Sequence, residues 1–243
     1  MNEAFVQDLE RFQGNGGKNR QGKTLEEFIS VYDPKKYDCP SNTVDMVVLK
    51  SDGPYRESSR PLKVLMVKRS NHPSIGWWAL PGGFVNLKED IDQAALRELE
   101  EETGVRDLPM VQLKTWGAWD RDPRWRVITT AYLALVEGEL PVRAGDDAAD
   151  ALWFDLDLTE TGTEFSDEPK AEKTVKYELK LVNDEAGLKL SASLTRTTIK
   201  RGPLTDVRYE LCSSDGIAVD HGLILSDAVL YLMDACQTDT AFV

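Results

Sequence analysis

The stretch GGFVNLKEDIDQAALRELEEETGV, Gly82–Val105, decides the fold of the chain around it. Its central part predicts a helix. Asp90 is a favourable N-cap residue, and Gln93 three residues later completes a variant of the capping box. The helix should therefore begin near Ile91 and end where Gly104 can take the left-handed C-cap conformation.

One flank of this predicted helix is acidic. At about 100° per residue, the core-facing arc is formed by Ala95, Leu96 and Leu99. The neighbouring arc carries the carboxylates of Glu98, Glu101 and Glu102. Arg97 is the single cation on this flank, so the mutual repulsion of the carboxylates requires a further positive charge. Mg²⁺ held by a few carboxylates together with substrate phosphates is the usual arrangement in proteins.

The same segment fills a known pattern, G-x5-E-x7-R-E-U-x-E-E-x-G-U, in which U is a bulky aliphatic residue. The matching residues are Gly83, Glu89, Arg97, Glu98, Leu99, Glu101, Glu102, Gly104 and Val105. Seven named positions match by chance with a probability on the order of 10⁻⁸ per window. Residues 83–105 therefore resemble the Nudix box, and the chain resembles the Nudix hydrolases.

This resemblance implies a fold, a cofactor and a set of site residues. The fold is α/β, the Nudix αβα sandwich with a mixed sheet, and the cofactor is Mg²⁺ or Mn²⁺. The implied metal ligands are the carbonyl of Gly82 and the carboxylates of Glu98, Glu101 and Glu102. The three glutamates are also the implied catalytic residues, together with Arg97, which would hold the carboxylates from the side. Glu89 is implied as a weaker outer ligand.

Two further segments narrow the resemblance. WALPGGFV, residues 78–85, and DRDPRWRVITTAYLALV, residues 120–136, are similar to the Nudix branch that contains ADP-ribose pyrophosphatases and Nudix-related transcriptional regulators. That branch often carries DRDPRGR, whereas this chain has Trp125 in place of the glycine. The predicted substrate-binding residues are Arg69, Arg121, Arg124 and Arg126, which would hold a diphosphate or a ribose phosphate. A solvated hairpin tip of mixed charges is the alternative for the three arginines of the turn.

Nudix enzymes often place one more carboxylate outside the box, as a base or as a metal ligand. The acidic loop 138–150 offers Asp146, Asp147 and Asp150 for this role. Position alone does not choose among them, and a solvated acidic loop explains the same residues.

Patterning divides the chain into four parts. They are an N-terminal extension, 1–41; a Nudix core, 42–158; a β insertion, 159–213; and a C-terminal helix that completes the core, 214–243. Within the insertion, residues 175–181, 188–194 and 207–211 alternate between apolar and polar, which predicts three antiparallel strands with one buried face. The Nudix body or another subunit must cover that face, and we expect a homodimer.

Composition bounds the class of protein. The chain has 243 residues, with 29 basic against 42 acidic, and its net charge of −13 argues against non-specific binding of nucleic acid. Cys39, Cys212 and Cys236 match neither a disulfide framework nor a metal site, which indicates a reducing cytoplasm. The start has no signal-peptide pattern, and we find no membrane span. His72 and His221, the only histidines, are predicted to be structural.

The sequence therefore supports one leading hypothesis and two alternatives. The leading one is a Mg²⁺-dependent hydrolase that splits the diphosphate linkage of a nucleoside diphosphate derivative, above all ADP-ribose into AMP and ribose 5-phosphate. The first alternative is a nucleotide-sensing transcriptional regulator without catalysis. Its relatives carry a winged-helix module after the last Nudix helix, whereas this chain ends at Val243, so we expect the enzyme. The second alternative is a hydrolase that removes damaged nucleoside triphosphates.

Overall fold

The computed structural model describes residues 5–6, 8–52, 61–142, 148–166 and 171–238. The chain divides into two compact units, Met1–Cys39 and Pro40–Val243. The described residues of the first unit include a 3-10 turn, Glu10–Phe12, and a short helix α1, Leu25–Val31. Thr24 and Glu27 form a reciprocal capping box at the start of α1.

The second unit is built on one ten-stranded mixed sheet with two long helices. The strands are β1 Ser41–Ser51, β2 Leu62–Arg69, β3 Trp78–Ala79, β4 Gly82–Phe84, β5 Val111–Trp116, β6 Val127–Glu137, β7 Ala148–Ser166, β8 Glu172–Asn183, β9 Leu188–Arg201 and β10 Leu204–Asp215. The helices are α2 Ile91–Thr103 and α3 His221–Thr238. The sheet order is β10-β9-β8-β7-β2-β1-β6-β5, with β3 paired to β2 and β4 paired to β1.

Strand β1 lies at the centre of this sheet and is buried on both faces. It runs parallel to β6 and antiparallel to β2 and β4. On one face, Val44, Met46 and Val48 pack in a cluster with Ala95 and Leu99 of α2. On the other face, the alternate side chains of β1 pack in a cluster with α3. The predicted αβα sandwich is thus confirmed, because one helix covers each face of the sheet.

Helix α2 follows the predicted bounds but differs in two details. Gly104 takes the left-handed C-cap conformation, with φ of 73°, as predicted. Asp90 has the extended backbone of an N-cap residue, but its side chain makes no capping hydrogen bond, so the predicted capping box does not form. Ala94 is buried in the core and Leu96 is 39% exposed, so the apolar arc is rotated by about one residue from the prediction.

The three predicted strands of the insertion are β8, β9 and β10, and they extend the Nudix sheet. The 19-residue strand β7 connects the two parts, because its first half pairs with β2 and its second half pairs with β8. The apolar face of the insertion is buried against α3. The side chains in this cluster include Leu179, Leu181, Leu190, Leu194, Leu225, Ala228 and Val229. The chain therefore covers that face itself, and an uncovered face no longer argues for a homodimer.

Within the described ranges, no helix is both long enough and apolar enough to span a membrane.

Candidate active site

A cavity of about 510 Å³ opens between α2, β1, β4, the β5–β6 connection and the start of α3. The acidic part of its lining contains Glu98, Glu101 and Glu102 of α2. The basic part contains Arg69 at the end of β2 and Arg124 in the β5–β6 connection. The structure thus brings predicted metal ligands and predicted substrate-binding residues to one cavity, although they lie up to 55 residues apart in sequence.

Arg97 is the centre of the ionic network on α2. Its Nε and Nη2 donate to the two carboxylate oxygens of Glu89, at 2.7 and 2.9 Å. Its Nη1 donates to Glu98 at 2.6 Å and to Glu101 at 2.9 Å, and Nη2 also donates to the carbonyl of Phe84 at 3.0 Å. The hydrogen bonds from Arg97 lower the pKa of Glu89 to about 2. One cation therefore orients three carboxylates and fixes α2 to β4.

Glu102 has a different environment from the other glutamates of the box. Its Oε2 accepts a hydrogen bond of 2.8 Å from the backbone N–H of Gly82. Burial raises the pKa of Glu102 to about 8, and the nearby charges of Glu98 and Asp45 act in the same direction. In the absence of a bound cation, this carboxyl group therefore retains its proton near neutral pH.

Gly83 lets the backbone approach Glu98 closely. A Cβ atom placed on Gly83 would lie 2.4 Å from Oε2 of Glu98 and 2.5 Å from its carboxyl carbon, so the end of the Glu98 side chain would have to move. Burial also raises the pKa of Glu98, against the opposing effect of Arg97. The first glycine of the box is therefore required because the Glu98 carboxylate occupies the space of its side chain.

Asp45 of β1 is a further carboxylate in the cavity, outside the box. Its residue exposure is 6%, in a strand whose neighbouring side chains are apolar and buried. Its Oδ2 accepts a hydrogen bond of 2.7 Å from the hydroxyl of Thr129 on β6. Gly82 is the residue paired with Asp45 across the β1–β4 ladder, so this carboxylate borders the same glycine that binds Glu102.

Arg121 lines the cavity, but its guanidinium is committed to another residue. Its Nε and Nη2 donate to the two carboxylate oxygens of Asp220 at 2.9 and 2.8 Å, and Nη2 lies 3.7 Å from Oδ2 of Asp45. Burial opposes the charge, but the Asp220 carboxylate outweighs it and raises the pKa of Arg121. The role predicted for Arg121 as a phosphate ligand thus competes with a bidentate ion pair, and the geometry fits a structural bridge better.

His221, the first residue of α3, also lies in the cavity wall. The backbone N–H of Leu80 donates to its Nδ1 at 2.9 Å, so the hydrogen of the neutral ring is on Nε2. Nε2 lies 3.8 Å from Oδ1 of Asp45. Burial lowers the pKa of His221, which keeps the ring neutral at pH 7.

Arg69 and Arg124, two further basic residues of the cavity wall, lie near each other. Arg124 donates to Asp122 through Nε and Nη2, at 3.0 and 2.8 Å, and its guanidinium lies 5.4 Å from the centre of the Phe84 ring. Nε of Arg69 donates to the carbonyl of Pro73 at 2.6 Å. Burial lowers the pKa of Arg69, and the like charge of Arg124 lowers it further. An anion between these two guanidinium groups would relieve their repulsion.

Two predicted site residues, Arg126 and Asp150, lie outside the cavity lining. Arg126 points away, because its Nη1 donates to the carbonyls of Gly117 and Ala118, and it is absent from the cavity lining. Asp150 is described, and its Oδ1 accepts from the N–H of Ala151 outside the cavity. Asp146 and Asp147 lie outside the described residues.

In the described part of the chain, no three His, Cys, Asp or Glu side chains converge closely enough to enclose an ion. The reason is visible in the network above, since Arg97 draws Glu98 and Glu101 toward itself while Glu102 is held by the backbone of Gly82. Binding of a cation would require these carboxylates to turn.

Sequence reasoning missed Asp45 and His221 as cavity residues, and it missed Thr129 and Asp220 as the partners of Asp45 and Arg121. A single acidic residue in the apolar run TVDMVVLK, residues 43–50, was the signal for Asp45. The adjacent pair Asp220–His221 ahead of an apolar helix was a weaker signal, because a helix start commonly carries such residues for capping.

Comparison with known proteins agrees with this geometry. Residues 42–176, more than half of the chain, match the family described as the NUDIX domain. The chain belongs to the Nudix family. The predicted membership of the Nudix hydrolases is therefore confirmed.

Three similar proteins illustrate the range of the family. An ADP-ribose pyrophosphatase of Methanocaldococcus jannaschii is 39% identical over 54% of this chain and 73% of its own length. The ADPR responsive transcriptional repressor NtrR of Acinetobacter baylyi is 36% identical over 46% of this chain but only 43% of its own length. A solved MutT/nudix family protein from Enterococcus faecalis covers 95% of this chain and 76% of its own, with 31% identity and a TM-score of 0.61.

Proposed function

We propose that this Nudix protein is a divalent-metal-dependent hydrolase of the diphosphate linkage in a nucleoside diphosphate derivative. ADP-ribose, split into AMP and ribose 5-phosphate, is the proposed substrate. The observation that carries the proposal is the division of one cavity into a carboxylate side, with Glu98 and Glu102, and a guanidinium side, with Arg69 and Arg124. The similarity to an ADP-ribose pyrophosphatase over half of the chain supports the choice of substrate.

The donor set fits Mg²⁺ or Mn²⁺. Hard divalent cations prefer oxygen ligands, and the cavity offers the carboxylates of Glu98, Glu101 and Glu102 beside the backbone of Gly82. Burial raises the pKa values of Glu98 and Glu102, and a cation bound beside these carboxylates would stabilise their charged form. When bound, the ion would neutralise phosphate oxygens and lower the pKa of the attacking water.

The residues of the chain would perform the remaining tasks. Arg69 and Arg124 would bind the diphosphate, since two neighbouring guanidinium groups match its two negative phosphates. Arg97 would orient the carboxylates of Glu98 and Glu101 from the side, because it donates hydrogen bonds to both. A box glutamate would accept the proton of the attacking water, and the raised pKa of Glu102 makes it the best candidate.

A panel of substrates tests the proposal. We expect purified protein with Mg²⁺ to hydrolyse ADP-ribose with a higher kcat/KM than NADH or nucleoside triphosphates, with AMP as the released nucleotide. A preference for a damaged nucleoside triphosphate would instead support the triphosphate-cleansing alternative. Both outcomes are read from one chromatographic assay of the products.

The second candidate function is the binding of a nucleotide as a sensor, without catalysis. The 36% sequence identity to the ADPR responsive repressor favours it. This reading predicts micromolar or tighter binding of ADP-ribose without turnover. The same panel, with ADP-ribose binding measured by calorimetry, separates the two functions. The net charge of −13 argues that any DNA binding would require a local basic surface.

Arg124→Ala is expected to raise the KM for ADP-ribose at least about tenfold. A charge-assisted contact to phosphate is worth about 1.5 to 3 kcal/mol, and Arg124 retains Nη1 for this purpose beyond its two bonds to Asp122. Steady-state kinetics measures the change.

Two other arginines of the same connection serve as controls. Arg126→Ala should leave KM unchanged, since Arg126 donates to backbone carbonyls away from the cavity. Arg121→Ala should lower the melting temperature, because it leaves the partly buried Asp220 carboxylate without its ion pair. An unchanged KM in Arg124→Ala would assign this side chain to solvent.

Assembly and compartment complete the proposal. We propose a homodimer, supported by the common dimeric state of Nudix pyrophosphatases of the ADP-ribose type. Sedimentation at micromolar concentration should give a species near twice the chain mass of 27.2 kDa. A species near the mass of one chain would contradict the dimer. We also propose a cytoplasmic location, because the spacing of Cys39, Cys212 and Cys236 in the sequence matches no disulfide framework.

A further inference from the structure

Asp45 is a carboxylate placed where an apolar residue would stabilise the fold. Its neighbours Val44 and Met46 have exposures of 0 and 1%, and Asp45 itself has 6%. Transferring a carboxylate to such a place costs several kcal/mol unless hydrogen bonds and opposite charges compensate for the lost water. The position therefore calls for a functional explanation.

Of the two carboxylate oxygens of Asp45, only Oδ2 receives a hydrogen bond from a side chain in the described structure. Oδ2 receives the hydrogen bond from Thr129 and lies 3.7 Å from Nη2 of Arg121. Oδ1 lies 3.8 Å from Nε2 of His221, which is longer than a hydrogen bond. A carboxylate can accept about four hydrogen bonds, so Oδ1 retains its capacity to bind a ligand in the cavity.

Arg121 and Arg69 both attract Asp45, but each is shared with other carboxylates. Arg121 already neutralises Asp220 through two hydrogen bonds. His221 accepts the N–H of Leu80 on Nδ1, so its ring contributes a dipole and not a full charge. Asp45 thus differs from Glu89 and Glu98, which share the full charge of Arg97 through short hydrogen bonds.

Gly82 places Asp45 next to the box. The N–H of Gly82 donates to Oε2 of Glu102, and a Cβ atom built on the same residue would lie 3.0 Å from Oδ1 of Asp45. The two carboxylates therefore border one glycine whose carbonyl belongs to the implied ligand set. Both line the cavity.

We propose that Asp45 is an additional carboxylate ligand of the divalent cation, and that Thr129, Arg121 and His221 are positioning residues for it. Thr129 orients one oxygen, so that the other faces the cavity. Arg121 and His221 both link Asp45 to the start of α3. Arg121 does so through its ion pair with Asp220, and His221 does so through its own imidazole ring. The inference rests on the proposed function, since it adds a ligand to the same site.

Mn²⁺ binding, followed by electron paramagnetic resonance of the free ion, tests the proposal without a substrate. Asp45→Asn keeps the shape of the side chain and removes its charge, so the dissociation constant for Mn²⁺ should rise by more than about tenfold. Thr129→Val keeps the charge and removes only the orienting hydroxyl, so it should weaken Mn²⁺ binding by about tenfold, the scale found for residues behind a ligand. Thermal melting of each variant checks that it is folded.

Lys50→Gln is the matched control. Lys50 is equally buried on the same strand, at 6% exposure, but pairs with Glu139 outside the cavity. It should bind Mn²⁺ like the wild type. Two results would overturn the inference and leave the proposed function standing. One is an equal Mn²⁺ affinity in the wild type, Asp45→Asn and Thr129→Val. The other is an equal loss of Mn²⁺ affinity in Lys50→Gln and Asp45→Asn. A wild-type chain that binds no Mn²⁺ would overturn the proposed function and this inference together. If Asp45→Asn does not fold, Thr129→Val decides alone.

Discussion

Glu102→Gln is expected to lower kcat for ADP-ribose by at least about a hundredfold, the scale of losing a metal ligand or a general base. The glutamine carbonyl can still accept the N–H of Gly82, so the backbone contact that holds this position remains available. What is lost is the negative charge and the ability to take up a proton. Rapid-quench or continuous assay of AMP release measures the effect.

A glutamate on the same helix provides the control for this substitution. Glu100 is exposed and pairs with Arg106 at 2.6 Å, away from the cavity. Glu100→Gln should therefore retain the wild-type rate. A wild-type rate in Glu102→Gln as well would show that the box carboxylates do not act in the reaction.

Gly83→Ala is expected to reduce kcat by about a hundredfold while the protein remains folded. The new methyl group would lie 2.4 Å from Oε2 of Glu98, and only the flexible carboxylate end of that side chain would have to move. The displacement removes Glu98 from its place beside Arg97. Circular dichroism should show a nearly native melting curve, whereas the kinetics should show the loss.

The neighbouring glycine gives a contrasting result for a different physical reason. A Cβ on Gly82 would lie 2.1 Å from the backbone carbonyl of Val44, which cannot yield without breaking the β1–β4 ladder. Gly82→Ala is therefore expected to destabilise the fold by roughly 3 kcal/mol.

Full activity in Gly83→Ala would contradict the close approach of its backbone to Glu98.

Local signals predicted most of the fold. The bounds of α2 followed from helical periodicity and from Gly104, because both act within a few residues along the chain. The alternation of apolar and polar residues predicted β8, β9 and β10, since side chains of a strand alternate between two faces. The pairing of β7 with both β2 and β8 was not predictable in this way, because pairing depends on tertiary register.

The box predicted Glu98, Glu101 and Glu102, and outside the box the predictions of Arg69 and Arg124 also fall in the cavity. Contacts that complete the cavity join residues far apart in sequence: 84 positions for Asp45 and Thr129, 99 for Arg121 and Asp220, and 141 for Leu80 and His221. No periodicity or motif records such pairs. For the same reason, the sequence could not assign different roles to the three arginines of the β5–β6 connection. Arg121 forms an ion pair with Asp220, Arg124 lines the cavity, and Arg126 donates to a backbone carbonyl.

The most direct test is the initial rate of AMP release from ADP-ribose as a function of free Mg²⁺. The cavity predicts a rate that is near zero in excess chelator, rises with Mg²⁺ to saturation, and returns when Mg²⁺ is added back to the chelated protein. A rate that is unchanged by removal of divalent ions, or no hydrolysis of ADP-ribose at saturating Mg²⁺, would contradict the proposal of a metal-dependent diphosphate hydrolase.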